Sequence, residues 1–235
     1  VCLHRHAQQQ TSVEMRYGWQ LQQFTDQGDH IDAVVTSVDG AQSLNVQAAY
    51  LVGADGARSK VRHQLGIAWG GATGFKRKFM GGKMLAVYLK APAFYARNPN
   101  DRAWMYVVVN PELRAFTMSV DGVSEFAFHI QMADDAATEA LTEADARRLF
   151  ALAYGQDIEI EIEILSMATW MAGHALVAES FQQGRVFLGG DAAHLFTPTG
   201  GLGYNTAVED AVNLSWKLAS VLKGQAPPAL LDSYP

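Results

Sequence analysis

The sequence predicts an α/β fold into which an antiparallel sheet is inserted. Two short apolar runs, residues 50–54 and 185–190, have the length and composition of strands that are buried on both faces. Each run leads to an aspartate beside a glycine, Asp55 in the first and Asp191 in the second. Between the two runs, longer segments alternate apolar and polar residues, which is typical of antiparallel strands. The same α/β pattern therefore occurs twice and flanks a sheet.

The composition excludes several classes of protein. The chain has 235 residues, of which 49% are hydrophobic and 18% are charged, which is enough apolar content for one large core or two small ones. Its net charge of −6 argues against an extended phosphate-binding surface, and hence against nucleic acid as a partner. The single cysteine, Cys2, excludes an intramolecular disulfide and a multi-cysteine metal site, as expected in a reducing cytosol.

The ends of the chain and its hydropathy bear on its location. No run approaches the ~18 apolar residues of a membrane-spanning helix, and no charged-then-apolar leader opens the sequence. We therefore expect a soluble, cytoplasmic protein without a membrane partner. The first residues lack a methionine or a cap signal and the last ones stop in mid-pattern, so we interpret the sequence as an interior segment of a longer chain.

The first third of the chain is expected to form mainly strands. Besides the buried run, the predicted strands cover residues 13–17, 31–38 and 43–47. The pair Asp39-Gly40 supplies a strong hairpin-turn signal after the second of them. Residues 59–65 predict a short helix, which Gly66 ends.

The middle third is expected to form the inserted antiparallel sheet. Its segments alternate and are separated by turns rich in proline, asparagine, aspartate and glycine. The predicted strands cover residues 83–90, 104–109, 113–120, 125–132 and 158–164. A capping box from Thr142 to Asp145 precedes a predicted helix over residues 146–154.

The last third returns to the α/β pattern. After the second buried strand, a glycine-rich loop leads into a helix over residues 203–223, and Gly224 supplies its stop. The stripe predicted to face inwards is Val208, Ala211, Val212, Ser215, Leu218, Ala219 and Leu222. We place the domain boundaries so that residues 1–74 and 183–235 belong to a nucleotide-binding domain and residues 75–182 to the sheet domain.

The first group of residues that suggests chemistry follows the first buried strand. At the carboxyl end of a parallel strand, Asp55, Gly56 and the start of a helix form a natural site for phosphate and hydroxyl groups. Arg58 or Arg62 could add positive charge. The alternative is an ordinary strand–turn–helix in which Ser59 is the N-cap and both arginines are solvated, because short motifs are weak evidence.

The second group is longer and more specific. Asp191 follows Gly190 at the end of the second buried strand, where its carboxylate can accept hydrogen bonds from a polyol. The loop at residues 200–203 lets backbone N–H groups approach a flat ligand closely. The following helix directs its positive end towards that loop, so a ring that gains negative charge on reduction would be held well.

These two groups carry a resemblance to a known family. Residues 184–218 resemble the ribityl-binding GD motif of the single-component flavin-dependent aromatic hydroxylases, the p-hydroxybenzoate and phenol hydroxylase family. Asp55-Gly56, with Ser59 and Arg62, resembles the DG motif of that family. The resemblance implies an FAD/NAD(P)-binding fold of the p-hydroxybenzoate hydroxylase type. The family's amino-terminal strand–GxGxxG–helix does not occur in these residues. We therefore expect the fold to be incomplete at its amino terminus and to bind FAD weakly or not at all by itself.

The resemblance also implies an activity and a set of cofactor-binding residues. NADPH or NADH would reduce FAD, O2 would add to the reduced ring, and a flavin C4a-hydroperoxide would transfer one oxygen atom to a phenolic or other aromatic substrate. Asp191 would bind the ribitol of FAD, and Asp55 and Gly56 would lie near the pyrophosphate and the approach of the nicotinamide nucleotide. The other implied cofactor-binding residues are Gly190, Pro198, Gly201, Gly203, Tyr204 and Asn205. Of these, Tyr204 and Asn205 would direct backbone N–H groups to the pyrimidine edge of the flavin.

Candidate substrate residues lie on the inserted sheet. They are Trp104, Tyr106 and His129, although aromatic side chains in a sheet belong more often to the core. Alternation places Trp104 and Tyr106 on one face, and it directs His129 away from Phe128, towards water or a pocket. His194 is interpreted as a ring that fixes the loop or the helix entry, because flavin chemistry takes its reactive atom from the cofactor. Two tryptophans, Trp170 and Trp216, are interpreted as packing residues. Three glutamates are interpreted as a solvated face of a strand and not as a metal site: Glu159, Glu161 and Glu163.

Two alternatives to the hydroxylase stay open. One is another flavin oxidoreductase of the same fold, although the Trp-x-Trp-x-Ile-Pro signature of halogenases does not occur in the sequence. The other is a noncatalytic flavoprotein that binds a reactive aromatic intermediate. The sequence identifies neither the aromatic substrate nor the catalytic residue that ionises it, and it indicates no oligomeric state.

Overall fold

The computed structural model describes most of the chain, as two compact units. The described residues are 2–72, 82–132, 141–155, 160–172, 175–197 and 201–234. The first unit comprises Val1–Trp69, Ala178–His194 and Thr206–Pro235, and the second comprises Gly70–Val177 and Leu195–Asn205. Residues 195–205 thus group with the second unit, whereas the predicted boundaries put them in the nucleotide-binding domain.

Helices and strands are interspersed along the chain. The helices are α1 (Cys2–Gln8), α2 (Lys60–Leu65), α3 (Phe94–Arg97), α4 (Glu143–Tyr154) and α5 (Leu202–Leu222). The strands are β1 (Trp19–Asp26), β2 (Ile31–Ser37), β3 (Ser43–Ala48), β4 (Leu51–Gly53), β5 (Trp69–Ala72), β6 (Gly82–Lys90), β7 (Met105–Val109), β8 (Arg114–Ser119), β9 (Glu125–Gln131), β10 (Glu163–Ala172), β11 (Ala175–Ala178), β12 (Gln182–Gln183), β13 (Val186–Leu188) and β14 (His194–Leu195). Short 3-10 helices cover Gly190–Ala192 and Pro228–Ser233. None of the described helices is long and apolar enough to cross a membrane.

The first unit contains an antiparallel sheet in the order β1-β2-β3 and a small mixed sheet in the order β12-β13-β4. Strands β13 and β4 are parallel, as predicted. The prediction of burial on both faces holds for β13 but is wrong for β4, where Val52 is 43% exposed. The strand predicted over residues 13–17 is wrong, because these residues are exposed and β1 begins only at Trp19, after Gly18. Helix α2 is confirmed, with Ser59 as its N-cap and Gly66 in the left-handed region at its end.

The second unit is built on an antiparallel sheet of five strands in the order β10-β6-β9-β8-β7. One face of the sheet forms the core with α3 and α4, and its most deeply buried side chains include Leu89, Phe94, Phe126 and Phe128. The capping box is confirmed at Thr142, whose side chain accepts the N–H of Asp145 while the Asp145 carboxylate accepts that of Thr142.

The last predicted strand of the middle third needs a correction. Strand β10 begins at Glu163 and continues to Ala172, whereas the alternation of isoleucine and glutamate predicts a strand over residues 158–164. Residues 158–159 lie outside the described part of the chain. Ile162 is buried and Glu161 is exposed, so the alternation reports burial correctly without a strand at that point.

Helix α5 buries a different face from the predicted one. Its most buried residues are Leu214 and Lys217, whereas Val212 is 62% exposed and Leu222 is 61% exposed. The predicted stripe fails because the buried face carries polar side chains that form hydrogen bonds. The Nδ2 of Asn213 donates to the carbonyl of Tyr234 over 2.9 Å. The Nζ of Lys217 donates to the carbonyl of Ser233 over 2.6 Å.

Candidate functional site

The carboxyl ends of β4 and β13 lie side by side in the first unit. The register of the two parallel strands places Leu188 opposite Gly53. Just beyond the strands, the backbone N–H of Gly189 donates to the carbonyl of Gly53 over 3.0 Å. Asp55 and Asp191 therefore follow neighbouring strand ends, which is where ligands bind in open α/β sheets.

The Asp55 carboxylate forms part of the cap of α2. Its Oδ2 accepts the backbone N–H groups of Lys60 (2.7 Å) and Val61 (3.2 Å). The Oγ of Ser59, which is fully buried, accepts the N–H of Arg62 over 2.9 Å. The capping that the sequence offered as an alternative is therefore present, and it fixes the position of Asp55 at the strand end.

Gly56 and Arg62 determine the shape and the charge of this turn. Gly56 has φ +81°, and a Cβ built on it meets no atom within 4 Å, so the backbone is open to a ligand. Arg62 is 3% exposed, and its guanidinium lies 3.9 Å from the centre of the Trp69 ring. Burial lowers the pKa of Arg62, and the Asp55 carboxylate opposes that shift. The alternative with two solvated arginines therefore holds only for Arg58, which is exposed.

Gly190 and Asp191 begin the 3-10 helix that follows β13. Gly190 has φ +59°, a conformation that side chains rarely adopt, and a Cβ there would lie 3.3 Å from that of Ala207. Asp191 is exposed, and its carboxylate forms no hydrogen bond within the described part of the chain. Since an ionised carboxylate only accepts hydrogen bonds, it is available to the hydroxyl donors of a ligand.

Asp210 on α5 stabilises this turn through hydrogen bonds. Its Oδ2 accepts the backbone N–H of Gly190 over 2.8 Å and lies 2.6 Å from Nε2 of His194. Because a carboxylate oxygen accepts, His194 donates through Nε2–H. His194 is 3% exposed, so its ring fixes the junction of turn and helix, in agreement with the structural interpretation made from the sequence.

The role of Asp210 was not predicted from the sequence. The signal was the pair Glu209-Asp210 within the GD-type stretch, in which only the second carboxylate faces inwards. Its partners, Gly190 and His194, precede it by 20 and 16 residues, so periodicity along the helix does not reveal them.

The loop and the first turn of α5 are described from Gly201 onwards, and the predicted cofactor residue Pro198 lies outside the described residues. Gly201 has φ +67°, and Asn205 Nδ2 donates to its carbonyl over 3.2 Å. Tyr204 is 73% exposed. Gly203 is helical, and a Cβ added to it would meet only the Phe196 ring at 4.0 Å.

The candidate substrate residues occupy three different environments in the second unit. Trp104 precedes β7 and is 67% exposed. Tyr106 belongs to the core, where its hydroxyl accepts the N–H of Ala103 (2.9 Å) and donates to the carbonyl of Asp101 (3.0 Å). The shared face predicted for Trp104 and Tyr106 therefore does not form a pocket, because the side chain of Tyr106 points into the core. His129 lies on the opposite face of the sheet, as its parity predicts.

A family model described as an FAD binding domain matches residues 2–235. The chain belongs to the FAD binding domain family. The predicted α/β fold with an inserted antiparallel sheet is thereby confirmed, together with FAD as the cofactor of the family.

Relatives of this FAD binding domain are hydroxylases of aromatic compounds by name. The aklavinone 12-hydroxylase of Streptomyces purpurascens is 35% identical over 226 residues, which cover 94% of this chain and 40% of the relative. The tetracenomycin B2 monooxygenase-dioxygenase of Streptomyces olivaceus is 34% identical over 228 residues, with coverage of 94% and 40%. The chain thus spans about two fifths of the length of these relatives.

Solved structures show the same likeness. The structure of aklavinone-11 hydroxylase in a ternary complex with FAD and aklavinone has a TM-score of 0.83 and 32% identity, and the match covers 95% of this chain and 41% of that one. The flavin-dependent monooxygenase PieE, in complex with FAD and substrate, has a TM-score of 0.83 and 30% identity, with coverage of 99% and 39%.

The residues of this FAD binding domain fit the cofactor of the family. A flavin dinucleotide presents ribityl hydroxyls, which require acceptors, and an exposed carboxylate such as that of Asp191 has the chemistry of such an acceptor. It also requires close approach of backbone to a pyrophosphate, and the open positive-φ turn at Gly56 allows that approach.

The described part of this FAD binding domain contains no group of three or more His, Cys, Asp or Glu side chains that could hold a metal ion. Glu161 and Glu163 are exposed, and Glu159 lies outside the described residues.

Proposed function

We propose that this chain is the flavin- and substrate-binding part of an FAD-dependent monooxygenase that hydroxylates a phenolic or other aromatic substrate with NADPH or NADH and O2. The observation that carries the proposal is the pair of parallel strands β4 and β13, whose neighbouring carboxyl ends are followed by Asp55-Gly56 and Gly190-Asp191. The names of the relatives support the aromatic class of the substrate.

When bound, FAD supplies the redox chemistry, accepting a hydride equivalent and activating O2. This chain binds and orients the cofactor and the substrate, and it excludes water from them. Asp191 accepts hydrogen bonds from the ribityl hydroxyls, while Asp210 holds the neighbouring turn by accepting the Gly190 N–H at 2.8 Å. The rigid cap of α2 keeps Asp55 and Gly56 in place for the pyrophosphate and for the approach of the nicotinamide nucleotide.

The first turn of α5 is assigned to the flavin ring. The helix has 21 residues, and its amino-terminal N–H groups carry the positive end of the helix dipole. Gly201, Gly203 and the backbone N–H groups of Tyr204 and Asn205 are the proposed contacts with the ring. Positive potential at that point favours the anionic form of a reduced flavin, by ~0.3–1 kcal/mol at an exposed site.

The substitution Asp191→Ala tests the proposal. Removal of this carboxylate leaves ribityl hydroxyls without an acceptor, which costs about 1.5–3 kcal/mol for hydrogen bonds to a charged group, or roughly 10- to 150-fold in the dissociation constant of FAD. Fluorescence titration of the apoprotein with FAD measures it. Asp232→Ala, at an exposed aspartate on the 3-10 helix Pro228–Ser233, is the matched control.

An unchanged dissociation constant in Asp191→Ala would remove this residue from the site. The activity itself is tested by supplying NADPH, O2 and a phenol to the flavin-loaded protein and looking for a hydroxylated product. A protein that binds the phenol and FAD, yet forms no product and consumes no NADPH or NADH, would instead be the noncatalytic flavoprotein.

A further inference from the structure

The five-stranded sheet of the second unit has a second face, opposite its core. Strand pairing places His129 of β9 between Phe116 of β8 and Ala86 of β6 on this face. Ala86 in turn pairs with Ala168 of β10, and Trp170 lies two residues further along β10 on the same face. Small side chains at Ala86 and Ala168 leave space between the larger rings of the neighbouring strands.

Three rings on this face are packed against each other. His129 stacks on Phe116 with ring centroids 4.6 Å apart and an angle of 0° between the planes. Trp170 meets His129 edge to face, with centroids 6.0 Å apart and an angle of 83°. Phe116 is 7% exposed and packs with the buried Met84. The face therefore offers an apolar, ring-lined surface of the kind that binds flat aromatic molecules.

Two polar atoms within this aromatic group have no hydrogen-bond partner in the described part of the chain. They are Nδ1 of His129 and Nε1 of Trp170, and both are buried. Buried polar atoms in folded proteins are nearly always paired, and one that is left unpaired costs about 1–3 kcal/mol. The neighbouring Tyr88 differs, because its hydroxyl donates to Glu125. Within the group of three packed rings, both unpaired atoms thus belong to the two rings that meet edge to face.

We propose that His129 Nδ1 and Trp170 Nε1 together bind one hydroxyl group of an aromatic substrate, with Nδ1 as the acceptor and Nε1–H as the donor. The inference rests on the proposed function and names the part of the substrate that this face recognises. The two nitrogens belong to rings that meet edge to face with centroids 6.0 Å apart, so they are polar atoms of adjacent side chains on one face of the sheet.

A hydroxyl group matches these two nitrogens better than a carboxylate does. The Nε1–H of Trp170 only donates, whereas Nδ1 of a neutral histidine either donates or accepts. The hydroxyl oxygen accepts from Trp170, and its O–H donates to Nδ1 when that atom carries no proton. A carboxylate has no proton to give, so it would leave an unprotonated Nδ1 unpaired.

The protonation state of His129 suits a hydrogen-bond acceptor. Burial lowers the pKa of His129, which favours the neutral ring, and an unprotonated Nδ1 then accepts the O–H of the substrate.

The test compares three naphthalenes that differ in one substituent: 2-naphthol, 2-methoxynaphthalene and 2-naphthoate. Dissociation constants are measured by equilibrium dialysis on the flavin-loaded protein without NADPH or NADH. We expect 2-naphthol to bind about tenfold more tightly than the methyl ether, since the ether cannot donate to Nδ1.

Variants assign the preference to the two rings. In His129→Asn and in Trp170→Phe, the preference for naphthol over its ether should fall to about twofold or less. Trp216→Phe makes the same chemical change as Trp170→Phe, on an exposed part of α5, and should keep the preference. The inference is overturned if unmodified protein shows no preference for naphthol, if the variants retain it, or if naphthoate binds more tightly than naphthol through His129.

This outcome is separable from that of the proposed function. If naphthol binds as expected but no phenol is hydroxylated, the proposed activity fails and the hydroxyl site stands. If a phenol is hydroxylated while both variants keep their preference for naphthol, the activity stands and the assignment of His129 and Trp170 fails. The comparison of naphthol with its ether needs no substitution, so it remains decisive even if a variant does not fold.

Discussion

At the scale of single residues, the site depends on a carboxylate that touches no ligand in the proposal. Asp210 accepts the Gly190 N–H at 2.8 Å and the Nε2–H of His194 at 2.6 Å. Asp210→Ala leaves both donors without this acceptor, and each buried donor left unpaired costs about 1–3 kcal/mol. We expect the free energy of unfolding, measured in urea, to fall by about 1–3 kcal/mol. The affinity for FAD should also fall, because the turn that carries Asp191 is no longer held by these hydrogen bonds.

The matched control for this prediction is the neighbouring residue. Glu209→Ala removes a carboxylate from the same turn of α5, but Glu209 is exposed and should change stability by no more than ~0.5 kcal/mol. Equal effects of the two substitutions would show that Asp210 does not support the turn.

At the scale of elements, α5 shows why a hydrophobic pattern can select the wrong face of a helix. Leu214 is 4% exposed, whereas Val212, in the predicted inner stripe, is 62% exposed. We therefore expect Leu214→Ala to destabilise the protein by about 2–5 kcal/mol and Val212→Ala by no more than ~0.5 kcal/mol, measured by urea unfolding. If Val212→Ala destabilised the protein more than Leu214→Ala does, the face predicted from the sequence would be the buried one.

The reason for the difference lies in residues far along the chain. Asn213 and Lys217 face inwards because their side chains donate to the carbonyls of Tyr234 and Ser233. The hydroxyl of Tyr234 donates in turn to the Leu188 carbonyl at the end of β13 over 2.8 Å. A pattern within the helix cannot contain this information, since the acceptors belong to the segment that follows it.

Other elements were predictable because their signals are local. The cap of α4 needs only Thr142 and Asp145, three residues apart, and the structure contains that capping box. The parallel pair of β4 and β13 was predictable from two apolar runs that end beside aspartates. The unpaired atoms of His129 and Trp170 were not, because parity shows the face of a residue and not its hydrogen-bond partners.

At the scale of the whole molecule, the two units have separate hydrophobic cores. The core around Phe126 and Phe128 contains residues of the second unit alone. The cluster of Phe187, Leu214 and Tyr234 contains residues of the first unit alone. The sequence anticipated this division, since α/β segments at both ends flank the alternating strands, although residues 195–205 group with the sheet.

Separate cores predict separate responses to core substitutions. Phe126 and Phe187 are both fully buried, and replacement of either by alanine should cost about 3–5 kcal/mol through lost contacts and a residual cavity. Because Phe126 packs within the second unit and Phe187 within the first, each substitution should accelerate amide hydrogen exchange chiefly in the peptides of its own unit. Hydrogen exchange read by mass spectrometry, with peptides assigned to residues 82–132 and 178–194, measures both responses in one experiment. The unaffected unit serves as the internal control, since its exchange should match that of the unmodified protein. Equal acceleration in both sets of peptides for either variant would show that the chain unfolds as one cooperative body, and the assignment of independent cores would then be wrong.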